Sequence, residues 1–100
     1  MEIVKSKKNE NLTLAVKGRL DTNTAPDLEK TASEELDGVK LLTLDLVDLD
    51  YISSAGLRVI LTLHKNMSGR GAKLVVSHPK DEVMEVFDMT GFSSFLTIEE

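Results

Sequence analysis

The sequence predicts a mixed α/β domain, and three observations lead to that prediction. Two segments near the N-terminus alternate apolar and polar residues with the period of two that is typical of strands. Further along, short apolar runs alternate with segments whose apolar residues have helical spacing. This order favours a sheet that is partly parallel, and a hairpin at the start makes the sheet mixed.

The opening hairpin is predicted from residues 3–7 and 12–16. Leu12, Leu14 and Val16 would share one face of the second strand. The polar residues 8–11 between the two segments suit a turn, although they lack the Asn-Gly pair that is typical of tight hairpins.

Three helices are predicted, and a short turn near the C-terminus could add a fourth. The first begins with a pattern similar to a capping box, formed by Thr24 and Asp27. A second helix is predicted from about 55 to 67, and a third from Pro79 to Gly91. The first helix has a stripe of apolar residues at helical spacing: Ala25, Leu28, Ala32 and Leu36.

The remaining strands are predicted from short apolar runs. The mostly apolar run 41–47 is short and lies between predicted helices, and its length and position predict a strand that is buried on both faces. Residues 72–76 and 96–98 predict two further extended segments. Between the run 41–47 and the second helix the sequence predicts only a short loop.

Length and composition indicate one domain that spans residues 1–100. The net charge of −5 disfavours nucleic acid and anionic membranes as partners, because both require positive charge. The absence of cysteine excludes disulfides and thiolate chemistry. No signal peptide or stretch of about 18 apolar residues is found, so a cytoplasmic location is expected.

Ser54 is the main candidate for a functional residue, because it precedes the second helix at the predicted N-cap position. Ser54, Arg58 and Thr62 are spaced four apart and would form the polar stripe of an otherwise apolar helix. A phosphate on Ser54 would meet the positive end of the helix dipole. The alternative is that this serine only caps the helix.

Other chemistries fit the sequence less well. Asp45, Asp48 and Asp50 are close together, but the spacing of an EF-hand fails after Asp48, and turn capping explains these residues better. The serine motif of hydrolases fails because Ile52 replaces its first glycine, and His64 is too far along the helix to act as a base. No metal or other cofactor is predicted.

Three blocks of the sequence resemble the STAS domains, and specifically the bacterial anti-sigma factor antagonists. The first block is Gly18-Arg19-Leu20-Asp21 followed by Thr24-Ala25. The second extends from Leu44 through Ser54-Ala55-Gly56-Leu57, and the third is Val86-Phe87-Asp88-Met89-Thr90-Gly91-Phe92. The blocks have the order and spacing of the family and span nearly the whole chain.

The resemblance implies a STAS-type fold and a switch without catalytic activity. The unphosphorylated domain would bind an anti-sigma factor that is also a serine kinase, and this binding would free the sigma factor. The kinase would then phosphorylate Ser54 and weaken the complex, and a separate phosphatase would reset it. Two other roles of STAS proteins remain open: a stressosome-type scaffold component, and a regulatory module for small ligands or a transporter.

The resemblance also implies which residues meet the partner. Asp21 matches an acidic residue of the family's partner surface, although it could instead be only a turn residue. The sequence departs from the family at Ser53, where many antagonists have Asp, and Ser53 is the alternative phosphoacceptor. The expected partner-binding residues are Asp21, Thr22, Asn23, Ser53, Ala55, Gly56 and Arg58.

Overall fold

A computed structural model describes all 100 residues and contains six strands and three α-helices. This architecture confirms the predicted mixed α/β class. A short 3₁₀ helix at Phe92–Ser94 occupies the predicted C-terminal turn. In chain order the elements are β1 (Glu2–Lys8), β2 (Asn11–Leu20), α1 (Ala25–Glu35), β3 (Leu41–Asp45), β4 (Leu49–Ile52), α2 (Ser54–Gly69), β5 (Lys73–Ser77), α3 (Asp81–Thr90) and β6 (Thr97–Glu99).

The strands form one sheet in the order β1-β2-β3-β5-β6. Strands β1 and β2 are antiparallel, which confirms the hairpin, and Asn9 has the positive φ of 57° in the turn between them. All other neighbours are parallel. Strand β4 pairs in parallel with the last residues of β2, off the main path of the sheet.

The helices cover one face of the sheet. In β2, Leu12, Leu14 and Val16 are buried as predicted, whereas Thr13 and Ala15 on the other face are only half-buried. Strand β3 alternates in the same way, so the prediction of a strand buried on both faces was wrong. Only Leu42 and Leu44 of this strand belong to the core, whereas Leu41, Thr43 and Asp45 on the second face are half-buried.

One contiguous core of 24 buried residues joins the sheet to all three helices. The predicted apolar stripe of α1 is confirmed, since Ala25, Leu28, Ala32 and Leu36 are all buried. Helix α3 begins at Asp81, two residues after Pro79, and its C-cap is Gly91, whose φ of 81° favours glycine.

Two polar contacts attach α1 to its neighbours. The guanidinium of Arg70, the C-cap residue of α2, donates to the carbonyl oxygens of Leu36 at 2.7 Å and Val39 at 3.0 Å, where α1 ends. Lys5 on β1 donates to the carboxylate of Glu35 at 2.7 Å. This hydrogen bond raises the pKa of Lys5 and lowers the pKa of Glu35. None of the helices has the length and apolar composition that crossing a bilayer requires.

Candidate functional site

The predicted site residues lie at the edge of the sheet where β2 and β4 end. In the pairing of these parallel strands Leu20 lies opposite Ile52. The backbone N–H of Ser53 donates to the carbonyl oxygen of Leu20 at 2.9 Å and extends the pairing by one step. Asp21 and Ser53 are therefore equivalent residues, each the first after its strand and each leading into a helix. This is the edge at which open α/β sheets usually bind ligands.

Helix α2 is capped by Ser53, so the prediction of Ser54 as the N-cap residue was wrong. Ser53 has extended backbone angles (φ −98°, ψ 175°), and its Oγ accepts a hydrogen bond from the N–H of Gly56 at 3.3 Å. The first helical bond runs from the N–H of Leu57 to the carbonyl oxygen of Ser53 at 2.9 Å. The hydrogen bond to Leu20 keeps Ser53 in the extended conformation of the strand. The helix therefore begins at Ser54, one residue before the predicted start.

Ser54 is the first residue of α2, and its side chain is exposed. Arg58 and Thr62 are exposed as well, which confirms the predicted polar stripe. The backbone N–H groups of Ser54 and Ala55 precede the first intrahelical bond, as at any helix start. An anion attached at Ser54 would lie beside these donors and beside the positive end of the helix dipole.

Gly56, which was expected at the partner surface, is buried against the sheet. A Cβ atom at this position would lie 2.7 Å from Cγ of Leu20 and 2.9 Å from Cγ1 of Ile52. Real Cβ atoms do not approach other atoms so closely, so only glycine allows the first turn of α2 to lie against β2 and β4. Gly56 therefore sets the position of Ser54 through packing.

The start of α1 is held by a dense set of hydrogen bonds around Asp21. Its Oδ1 accepts from the backbone N–H groups of Asn23 at 3.0 Å and Thr24 at 3.1 Å. The Thr24 hydroxyl donates to the carbonyl oxygen of Arg19 and accepts from the N–H of Asp21, both at 2.8 Å. The hydrogen bond from the Thr24 N–H is the largest of several effects that lower the pKa of Asp21.

These bonds show that the predicted capping box of α1 was wrong. Thr24 is the N-cap residue, but its side chain makes no capping hydrogen bond, because its hydroxyl is directed back to Arg19 and Asp21. Asp21 therefore has the turn role that the sequence left open.

A shallow groove of about 200 Å³ separates the starts of the two helices. It brings Thr22 of the α1 turn together with Ala55 and Arg58 of α2. Arg58 takes part in none of the chain's six ion pairs. Asn23 is exposed in the turn beside Thr22, while Ala55 is half-buried. Three of the predicted partner residues, Thr22, Ala55 and Arg58, thus line one groove together with Pro26 and Glu29. Asp21, Asn23 and Ser53 are chain neighbours of these lining residues or of Ser54 but do not line the groove.

Two residues of this edge were not predicted. Arg19 lies opposite Tyr51 in the pairing of β2 with β4, and its guanidinium carbon is 4.1 Å from the centre of the Tyr51 ring. The contact was not predicted because the sequence indicated only a loop at Tyr51, and a loop residue has no pairing partner in a sheet. The sequence did contain a signal for strand β4. In Leu49-Asp50-Tyr51-Ile52 an apolar residue stands at each end and more polar residues lie between them.

The three aspartates near β4 have separate partners. Oδ1 of Asp45 accepts from the N–H of Val47 at 3.1 Å, and Asp48 lies 3.9 Å from Lys17. Asp50 pairs with Lys80 at the start of α3, and the hydrogen bond between them raises the pKa of Lys80. No three acidic or histidine side chains converge as a metal site would require.

The fold and this edge define a small mixed α/β domain whose exposed polar residues gather beside the start of one helix. The family model described as "STAS domain" matches residues 2–100, and the chain belongs to this family.

Curated relatives extend the comparison. The chain is 35% identical over 99 residues to BtrV of Bordetella bronchiseptica, a protein described as a candidate anti-sigma factor antagonist. That match covers 98% of this chain and 85% of BtrV. The chain is also 26% identical to the anti-sigma-B factor antagonist of Listeria monocytogenes, with 96% of this chain and 85% of the relative covered.

Solved structures show the same fold. A candidate anti-sigma factor antagonist of Thermotoga maritima superposes with a TM-score of 0.92 and 22% identity, covering 98% of this chain and 86% of that one. The unphosphorylated antagonist SpoIIAA gives a TM-score of 0.85 at 15% identity, and the match covers 97% of this chain and 87% of SpoIIAA. The phosphorylated form of SpoIIAA, from Bacillus, gives 0.77 at 14% identity, covering 97% and 90%.

Proposed function

We propose that this domain is an anti-sigma factor antagonist that is switched by phosphorylation of Ser54. In the unphosphorylated state it binds an anti-sigma factor, which is also a serine kinase, and so frees the sigma factor. Phosphorylation of Ser54 by that kinase weakens the complex, and a separate phosphatase restores the binding form. The protein is the substrate of the kinase and performs no catalysis itself, and its place of action is the cytoplasm.

The observation on which the proposal rests is the exposed side chain of Ser54 at the first position of α2. A kinase can reach this hydroxyl without unfolding the helix. The phosphate would add about −1.5 to −2 charges at the surface that meets the partner. It would therefore change docking while the core, which lies on the other side of the helix, stays intact.

The geometry favours Ser54 over Ser53 as the acceptor. Ser53 is half-buried, and its hydroxyl oxygen already accepts the hydrogen bond that caps α2. Phosphorylation of Ser53 would replace this cap, whereas phosphorylation of Ser54 would leave it in place. The names of the relatives and the phosphorylated form of SpoIIAA add support for an antagonist that is regulated in this way.

Arg58 is the residue that would respond to the phosphate. It is the i+4 neighbour of Ser54, it is exposed, and it has no ion-pair partner in the chain. In the phosphorylated form its guanidinium pairs with the phosphate, and in the unphosphorylated form it is free to contact the anti-sigma factor. Thr22 faces Arg58 across the groove, and its chain neighbours Asp21 and Asn23 would complete the partner surface.

The direct test incubates the protein with the anti-sigma kinase of its own genome and ATP, and maps the modified residue by mass spectrometry. We expect one phosphate on Ser54, none on the Ser54→Ala variant, and unchanged modification of Ser54 in the Ser53→Ala variant. If the phosphate is found on Ser53, or if the wild-type chain is not modified, the proposed switch is wrong.

Binding measurements test the consequence of the phosphate. We expect Ser54→Asp to bind the kinase more weakly than the wild type, and Arg58→Ala to change either the affinity or the rate of phosphorylation. Wild-type affinity of Ser54→Asp would argue against phosphorylation as the release signal. Size-exclusion chromatography adds a check on the scaffold alternative, because a megadalton particle formed with partners would favour that role over a free antagonist.

A further inference from the structure

The contact between Arg19 and Tyr51 lies on the outer surface of the site edge. Their chain neighbours Leu20 and Ile52 are buried, so alternation along β2 and β4 directs Arg19 and Tyr51 outward. The Arg19 side chain is 63% exposed and Tyr51 is 40% exposed. A charged group and an aromatic ring thus stack on each other while both remain accessible to another molecule.

The guanidinium of Arg19 has unused hydrogen-bond donors. Stacking over the ring at 4.1 Å occupies one face of the planar group and leaves its N–H groups directed outward in the plane. The one ionic contact of this side chain, from Nε to Oδ2 of Asp21, is 3.9 Å long and exceeds hydrogen-bond distance. The other carboxylate oxygen of Asp21 accepts from two backbone N–H groups instead.

Lys80, which lies beside β4, is more closely engaged than Arg19, because it donates a hydrogen bond to the carboxylate of Asp50. Arg19 is also held in place by the stack on Tyr51, so little side-chain freedom would be lost when it binds a second group. A planar cation that is fixed in position and has free donors matches a carboxylate, which it can bind through two parallel hydrogen bonds.

The position of the pair links it to the switch residue. Arg19 lies 3.9 Å from the carboxylate of Asp21, and Asp21 holds the position after β2 that Ser53, the residue before Ser54, holds after β4. A partner that covers the turn at Asp21 would therefore lie beside the Arg19–Tyr51 pair.

We propose that Arg19 and Tyr51 together form an anchor that receives an aspartate or glutamate side chain of the anti-sigma factor, an inference that rests on the proposed function. The carboxylate binds the guanidinium, and the partner covers the exposed side of the Tyr51 ring. The anchor determines specificity, since a partner with a lysine at that place would be repelled.

The test measures the affinity of the unphosphorylated variants for the anti-sigma kinase by titration calorimetry. Arg19→Glu is compared with Lys73→Glu, which makes the same change in charge at an exposed position at the opposite end of the parallel strands. We expect Arg19→Glu to weaken binding about tenfold or more and Lys73→Glu to change it less than about twofold. Circular dichroism and thermal unfolding confirm that both variants fold.

Two conservative variants separate the parts of the anchor. Arg19→Lys keeps the charge but loses the planar guanidinium and its paired N–H donors, so this variant should bind less well than the wild type. Tyr51→Phe keeps the ring and should bind normally, whereas Tyr51→Ala should not. Replacing single exposed acidic residues of the anti-sigma factor with lysine should restore binding to Arg19→Glu at one position, and rescue at none of them would overturn the assignment of a carboxylate.

The outcomes distinguish the anchor from the proposed function. If the wild type binds and Arg19→Glu binds equally well, the anchor is wrong and the antagonist function stands. If the wild type does not bind the anti-sigma kinase, the proposed function is wrong, and the proposed anchor is then wrong as well.

Discussion

The two junctions that lead from a strand into a helix, β2 to α1 and β4 to α2, lie side by side but have different hydrogen bonding. At the first junction, Asp21 and Thr24 bond to each other and to the backbone, and the N–H of Ala25 donates to the carbonyl oxygen of Asp21 at 2.8 Å. At the second junction the only side-chain contribution is the 3.3 Å bond between Ser53 and Gly56.

The difference follows from the number of residues between strand and helix. Residues 21–24 separate β2 from α1 and provide enough polar groups to close the turn on itself. Ser53 alone separates β4 from α2, so the first amides of α2 remain without partners from a turn. The first junction is therefore a closed structural turn, whereas the second has free backbone amides to which an anion could bind. Four predictions, ordered by expected size, test this contrast.

The largest effect is expected from Gly56→Ala in the open junction. The new Cβ would lie within 3 Å of Leu20 and Ile52, and relief of this overlap requires α2 to move away from the sheet. We expect a loss of about 2–3 kcal/mol in the free energy of unfolding, measured by urea denaturation.

Gly69→Ala is the matched control, because it changes the last residue of the same helix and its Cβ would meet no atom within 4 Å. This variant should have wild-type stability or gain a few tenths of a kcal/mol. If Gly56→Ala and Gly69→Ala lower the free energy of unfolding equally, the close packing of Gly56 is not the cause of the destabilisation.

Thr24→Val tests the closed junction. The substitution keeps the shape of the side chain but removes the hydroxyl that donates to Arg19 and accepts from Asp21. We expect a loss of about 1–2 kcal/mol in the free energy of unfolding, because the half-buried turn is left with unpaired backbone groups. Thr62→Val, which removes one hydroxyl bond in the middle of α2, is the control and should cost less.

Ser53→Ala should destabilise the protein less than Thr24→Val, by about 0.5 kcal/mol, because it removes one long capping bond. Ser53→Asp should instead raise the free energy of unfolding by about 0.3–1 kcal/mol, since a carboxylate is both a cap and a favourable charge at the positive end of the helix. If Ser53→Ala lowers the free energy of unfolding as much as Thr24→Val does, the two junctions do not differ in the way described above.

The smallest effect concerns the pH dependence of stability. The lowered pKa of Asp21 means that its ionised form stabilises the fold above the ordinary value of 3.8, and that this contribution is lost as the pH falls through the folded-state pKa. Asp21→Asn keeps an oxygen that can accept from Asn23 and Thr24 but cannot be protonated in this range. The stability advantage of the wild type over this variant should therefore shrink as the pH falls below about 4.

Denaturant midpoints between pH 2.5 and 5 provide the measurement. Asp27→Asn is a suitable control, because Asp27 is exposed and its side chain makes no hydrogen bond in the chain. A difference between wild type and Asp21→Asn that stays constant over this range would show that the hydrogen bonds of Asp21 do not favour its ionised form.

Much of the fold could be predicted from local sequence patterns. The hairpin, the three helices, the apolar stripe of α1 and the exposure of Ser54, Arg58 and Thr62 all follow from periods of 2 and 3.6 residues. These periods reflect backbone geometry, which is the same whatever the strands and helices later pack against. The one-sided burial of β3 was missed because neither the length of the run nor its position between helices shows whether helices cover both faces of the sheet.

Local patterns in the sequence establish that a helix starts close to Ser54 and that Ser54 faces outward, because helical spacing leaves only one polar stripe on α2. The folded structure was needed to show that Ser53 caps the helix, that β4 exists and that Arg19 stacks on Tyr51. All three depend on the pairing of β2 with β4, which joins residues about 30 positions apart in the chain. A local pattern can indicate a strand but does not name its partner, since the hydrogen bonds of the pairing form only after the chain has folded and brought the two strands together.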